Sequence, residues 1–240
     1  MKLVTTNRIK ISVIVFVSLL LGFLWGGVTY YKQIFPFEQI RFAKNFLVGG
    51  SLQDKNQPKP RNTLFQTFSR NSSVVMIGDS ITEDAEWEEI FPHISIANRG
   101  IGGDTAADIL RRLDPIYAVN AKKAFLMVGT NDVNAGYSTN EILKNYIEIV
   151  QQLSSKGIEV YIQSTLECNK QKCGSRLKKI RELNHELKAY AAIHHLPYIN
   201  INANLTTDSE GLLPKFTLDG IHLLGPGYLI WSQNLAPSMN

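Results

Sequence analysis

From residue 73 onward the chain alternates short apolar runs with stretches in which apolar residues recur every three or four positions. This alternation restricts the fold more than any other feature of the sequence. The strand candidates are 74–77, 94–97, 124–128, 158–163 and 198–201. Between them, Ile142, Tyr146, Ile149 and Leu153 fall on one helical face, as do Leu177, Ile180, Leu183, Leu187 and Tyr190. Units that alternate β with α predict a parallel sheet covered by helices on both faces, because each crossover packs back onto the sheet. Five such strands predict a flavodoxin-like, three-layer α/β/α domain. In sheets of this kind ligands bind outside the carboxyl ends of the strands.

The 240-residue chain has room for that domain and something more. Its formal net charge of +4 is unevenly placed, because Lys2, Arg8 and Lys10 have no acidic partner before residue 32 and the remainder is close to neutral. The basicity therefore reads as a topology signal, not as a nucleic-acid surface. The stretch "ISVIVFVSLLLGFLWGGVTYY" (11–31) carries no charge, and as a helix it would span roughly 30 Å, the thickness of a bilayer's hydrocarbon. Trp25, Tyr30 and Tyr31 fall toward one end, where amphipathic rings settle at the interface. Basic residues ahead of the stretch predict a cytoplasmic amino end and an exported body. An N-terminal transmembrane helix retained as a signal anchor is the favoured reading. The rival is a cleaved signal peptide, but the first alanine is Ala43 and no A-x-A site precedes it. The expected organisation is a basic cytoplasmic tail (1–10), the anchor (11–31), a juxtamembrane segment and linker (32–62) and the α/β domain (63–240). Residues 32–50 mix aromatic and basic side chains, which fits a membrane surface or an ordinary packing helix equally well. Residues 51–62, polar and with two prolines, read as linker.

Four polar motifs follow strand candidates. "GDS" (78–80) follows the first, "NRGIGGDT" (98–105) the second and "GTND" (129–132) the third, while "DGIH" (219–222) lies beyond the last. Each alone has a structural explanation, since glycines make turns and Asp79, Ser80, Asn131 and Asp132 are good helix caps. Together they would converge on one rim of the sheet. The residue types there complete an acyl-transfer set. A serine hydroxyl is a weak nucleophile until a base takes its proton, and His222 is a base of the right kind for Ser80. Asp219 could hold the imidazole in the productive tautomer. Backbone N–H groups of Ser80 and Gly103 and the side-chain amide of Asn131 could supply three donors to an oxyanion.

Read together, these blocks resemble the GDSL, or SGNH, hydrolase superfamily, whose second name lists Ser, Gly, Asn and His. The resemblance covers roughly residues 63–236. "GDSIT" resembles its first block and implies Ser80 as nucleophile. "NRGIGGDT" resembles the second and implies Gly103 as the oxyanion glycine, with Gly100 and Gly102 shaping the turn. "GTND" implies Asn131 as the side-chain donor, and "DGIH" implies Asp219 and His222. The wording of the second block and of "DGIHLLGPGYLIW" is most similar to the branch around platelet-activating-factor acetylhydrolase subunits and bacterial carbohydrate esterases. The resemblance implies a serine esterase working without a cofactor on short acyl esters, an O-acetyl group on a glycan first among them. Longer acyl chains, as in a lysophospholipase or thioesterase, and a glycan-binding or acyl-transferring envelope module are the alternatives. One stretch departs from the family: after the fourth strand, "TLECNKQKCGSR" stands where relatives of this branch commonly have a short proline-containing turn, so no substrate contact is carried over there.

Cys168 and Cys173 are the only cysteines. In an exported domain a disulfide between them is the favoured reading and two free thiols the alternative. A lone pair of cysteines does not make a zinc site, and no metal-ligand spacing is visible. "GIGGD" lacks the G-x-G-x-x-G spacing of a dinucleotide loop. Leu212, Leu213 and Phe216, close in sequence to Asp219, either close a small acyl pocket or pack their loop onto the domain.

Overall fold

In the computed structural model, residues 59–239 are described, together with Ser18, Leu20 to Phe23 and Trp25. Those few residues of the 11–31 stretch are helical and exposed; the transmembrane anchor as a whole lies outside the described residues. Among the described residues no helix is long and apolar enough to cross a membrane. The larger compact unit begins at Lys59. It opens with a helix, α1 (Pro60–Thr67), whose first turn occupies the end of the stretch read as linker, with proline at the position where its missing N–H costs nothing.

Five parallel strands, β1 (Val74–Gly78), β2 (Ile96–Gly100), β3 (Lys123–Met127), β4 (Glu159–Gln163) and β5 (Tyr198–Ile199), lie in the order β2-β1-β3-β4-β5. This is the flavodoxin-like order the alternation predicts. Every residue of β1 is buried, as befits a central strand with helices on both faces. Val75 and Ile77 point into one core with Ile109, Ile116, Ile142, Tyr146, Ile149, Leu183 and Leu187. Val74 and Met76 point into the other, with Phe125, Trp87, Trp231 and Leu235. The first core lies under α4 (Ala106–Leu110), α5 (Asp114–Tyr117), α7 (Thr139–Ser155) and α9 (Arg176–Ile193). The second lies under α2 (Ser80–Glu83), α3 (Trp87–Ile90) and α10 (Gly225–Leu235), where Trp87 and Trp231 meet edge to face with centroids 5.0 Å apart.

Local sequence explains the elements. Helix α7 starts at a reciprocal cap between Ser138 and Glu141, buries Ile142, Tyr146, Ile149, Val150 and Leu153, and is followed by Gly157 at φ 76°. Strand β2 is displaced by two residues from the apolar run 94–97. Ile94 is held in a turn by its N–H bond to the Phe91 carbonyl, and the strand runs on through Asn98 and Arg99. Both polar residues are satisfied by tertiary partners. Asn98 donates to the carbonyls of Thr82, Glu83 and Ala85, and the Arg99 guanidinium donates to the Pro115 carbonyl and stacks over Phe65. Beyond β4, Cys168 and Cys173 are joined by a disulfide across the short helix α8 (Lys170–Cys173). Two two-residue strands, β6 (Thr206–Thr207) and β7 (Gly211–Leu212), pair antiparallel ahead of the loop that carries Asp219 and His222.

Candidate active site

The turn from β1 into α2 must be glycine at its hinge. A Cβ on Gly78 would stand 2.1 Å from Thr82 Oγ1 and 2.5 Å from the Met127 carbonyl. Asp79, the next residue, caps α2, its Oδ1 accepting the Ile81 N–H at 3.0 Å. Capping therefore falls to Asp79, and Ser80 occupies the first helical position with its hydroxyl turned elsewhere. Ser80 Oγ lies 2.9 Å from His222 Nε2, and His222 Nδ1 lies 2.7 Å from Asp219 Oδ2.

The loop 217–222 is tied to itself in a way that orients both groups. Asp219 Oδ1 accepts the N–H groups of Ile221 at 2.9 Å and His222 at 2.8 Å, and Thr217 Oγ1 accepts the Gly220 N–H at 2.9 Å. Gly220 sits at φ 83°, the left-handed region glycine reaches at no steric cost. Partial burial opposes the charge on Asp219. The hydrogen bonds from the His222 ring and from the two backbone N–H groups outweigh it and hold the carboxyl well below the usual carboxylate range. An ionised Asp219 facing the imidazole fixes the tautomer that leaves Nε2 free to accept from Ser80.

The other two motifs reach the same rim. Gly102 lies beside the serine, since a Cβ there would be 3.8 Å from Ser80 Cβ, and Gly103 follows at φ 73°. Asn131, in α6 (Thr130–Ala135), donates from Nδ2 to the Asp104 carbonyl at 3.0 Å and stands 3.4 Å from Asp79 Oδ2. The structure thus brings Ser80, His222 and Asp219 into one hydrogen-bonded chain, and ties Asn131 to the residue after Gly103. Cys168 and Cys173 stand outside that chain. The loop they close nevertheless packs on it, because Asn169 N–H donates to the Gly220 carbonyl at 2.8 Å. Among the described residues no group of three or more His, Cys, Asp or Glu side chains is arranged to hold a metal ion.

Two buried carboxyls at this rim escape a reading of motifs alone. Burial pushes Asp79 up to about 7 against the opposing bond from Ile81, and pushes Asp132 up to about 6 against the bonds from the Ala106 N–H. Their place inside "GDS" and "GTND" is visible in the sequence, but burial is a property of the packed loops.

The region 76–230 matches the model of the GDSL-like lipase/acylhydrolase family. The N-acylneuraminate cytidylyltransferase of Streptococcus agalactiae is 28% identical over 155 residues, 65% of this chain and 36% of that protein, so the chain spans about a third of the length of this curated relative. A solved structure of a candidate platelet activating factor from Streptococcus pneumonia is 25% identical with a TM-score of 0.68, covering 85% of this chain and 99% of that one. An acetyl-xylooligosaccharide esterase from Geobacillus Stearmophilus shares the fold at 18% identity and a TM-score of 0.58, over 72% of this chain and 96% of that one.

Proposed function

The chain belongs to the GDSL-like lipase/acylhydrolase family, and from that premise we propose that it is a serine esterase that removes short acyl groups, acetyl first among them, from a carbohydrate. The observation that carries the mechanism is the unbroken chain from Ser80 Oγ to His222 at 2.9 Å and on to Asp219 at 2.7 Å. In this reading Ser80 attacks the ester carbonyl while His222 takes its proton, and Asp219 steadies the imidazolium that forms. The backbone N–H groups of Ser80 and Gly103 and the Asn131 amide meet the oxyanion as it develops. The imidazolium then protonates the leaving alcohol. Water, activated by the same histidine, releases the acid from Ser80.

The carbohydrate assignment is supported by a relative whose name places it on an N-acylneuraminate, and by an acetyl-xylooligosaccharide esterase of the same fold. The uncharged stretch 11–31 behind Lys2, Arg8 and Lys10 supports an anchored protein with its catalytic domain on the exported side. A reporter fused after Asn240 should then be active only outside the cytoplasm.

Purified full-length protein should release acetate from p-nitrophenyl acetate and from O-acetylated oligosaccharides. Ser80→Ala and His222→Ala should lose nearly all turnover while remaining folded. Asn131→Ala should lose about a hundredfold to a thousandfold in kcat, the usual effect of removing one oxyanion donor. A folded Ser80→Ala protein that turns over at the wild-type rate would overturn the mechanism. Acetyl transfer to an added sugar alcohol in preference to water would reassign the protein as a transferase.

A further inference from the structure

The peptide unit that joins Gly102 to Gly103 is planar and trans, so its carbonyl and its N–H point in opposite directions and a partner that fixes one fixes the other. Lys59 is such a partner. Its ammonium donates to the Gly102 carbonyl at 2.8 Å and to Asp104 Oδ1 at 2.6 Å, and it is the atom a Cβ on Gly103 would meet, at 3.6 Å. The adjoining peptides are held as well. Arg61 donates from Nε to the Gly100 carbonyl at 2.8 Å, and the Gly102 N–H donates to Glu83 Oε2 at 2.5 Å. Lys59 and Arg61 both precede the region that matches the family model, 76–230.

We infer that Lys59 is a positioning residue for the esterase reaction: by holding the Gly102 carbonyl it aims the Gly103 N–H at the oxyanion. This rests on the reading of Gly103 as an oxyanion donor. The same bond polarises the peptide and makes its N–H a stronger donor. A purely structural role is the weaker account on energetic grounds. Lys59 is 31% exposed, and the Asp104 carboxylate it pairs with is already held from the interior by Arg112, whose Nε donates to Oδ2 at 2.6 Å. The Asp104 carboxylate is itself buried, 1% exposed, but its bond from Arg112 remains when Lys59 is removed, so its charge stays paired. Removing Lys59 should therefore affect the donor more than the fold.

The test uses the full-length chain with Lys59→Met and Lys59→Arg. On p-nitrophenyl acetate Lys59→Met should lower kcat about tenfold to thirtyfold, less than outright loss of a donor, and leave KM within about twofold. Lys59→Arg, which can donate to both acceptors, should recover most of that loss. Amide exchange over 101–104 should quicken in Lys59→Met while β1 and β3 keep their protection. Exchange needs no turnover, so the pin is judged by it even if the wild-type protein fails to hydrolyse esters, the result that would instead remove the esterase reading. A wild-type kcat per titrated active site in Lys59→Met would overturn the inference, as would unchanged exchange over 101–104.

Discussion

Asp79 and Ser80 are adjacent and chemically interchangeable as helix caps, yet the fold divides the work between them. Asp79 takes the Ile81 N–H, which leaves the serine hydroxyl for His222. The division has a consequence for stability. A carboxyl whose pKa is raised to about 7 in the folded state, against an ordinary value near 3.8, binds its proton more tightly when folded than when unfolded. Its favourable contribution is complete below the unfolded value and is lost as pH rises through about 7. Asp132, raised to about 6, acts in the same direction. Thermal melts should therefore show stability falling between about pH 4 and about pH 7, and Asp79→Asn should flatten part of that fall while Asp132 keeps the rest. Equal slopes in the two proteins would remove Asp79 from the account. The motif residues themselves are legible in the sequence because each block carries a mechanism in its residue types. The charge states around them are not, since they depend on how closely the loops pack.

At the scale of elements, the loop closed by Cys168 and Cys173 clamps the loop that carries Asp219 and His222. Asn169 donates its backbone N–H to the Gly220 carbonyl and its side-chain amide to the Leu212 carbonyl at 2.9 Å, while Lys170 N–H reaches the Glu210 carbonyl at 2.8 Å. A Cβ on Gly220 would press within 2.7 Å of Lys172 Cβ, so the two loops are in close contact. With a sequence separation of 5, the disulfide removes only about 2 kcal/mol of chain entropy from the unfolded state. Its main effect should be local. Reduction, or Cys173→Ser, should lower kcat about threefold to tenfold through a looser Asp219–His222 pair, with a small change in Tm. A Cys168→Ser/Cys173→Ser protein should be indifferent to reductant. Full activity after complete reduction would show that the backbone bonds alone suffice. The five strands and two long helices were legible from apolar period, because burial of their faces decides them. The end of β2 was not, since Asn98 and Arg99 are strand residues only by virtue of carbonyls and the Phe65 ring supplied by distant parts of the chain. The first turn of α1 was hidden for a similar reason. Its bonds run to Gly100 and Gly102, which no local pattern reveals.

Across the whole molecule, the allotment of apolar side chains between two cores bears on which acyl group the site accepts. A lipid-directed enzyme needs an apolar groove, and each methylene buried there would add about 0.8 kcal/mol, close to fourfold in kcat/KM. The loops at the carboxyl ends of the strands have little to build it from. "NRGIGGDTAAD" and "GTNDVNAGYSTN" are polar and glycine-rich, and "ECNKQKCGSR" is charged and cross-linked. Leu212, Leu213 and Phe216 were the material that could have lined a groove. Leu212 is fully buried, Phe216 is 6% exposed, and both belong to the core under α10, with Leu213 packed against it. They fasten their loop to the domain and leave Leu218, 89% exposed, as the large apolar side chain directly beside Asp219. On p-nitrophenyl esters of graded length, acetyl and propionyl should therefore be preferred and rates should fall by octanoyl. A steady climb in kcat/KM from two to ten carbons would replace the glycan-acetyl assignment with a lipid one. Leu218 would then be the first residue to change, because a chain that gains affinity per methylene must be covered by an apolar surface that the two cores have not already used.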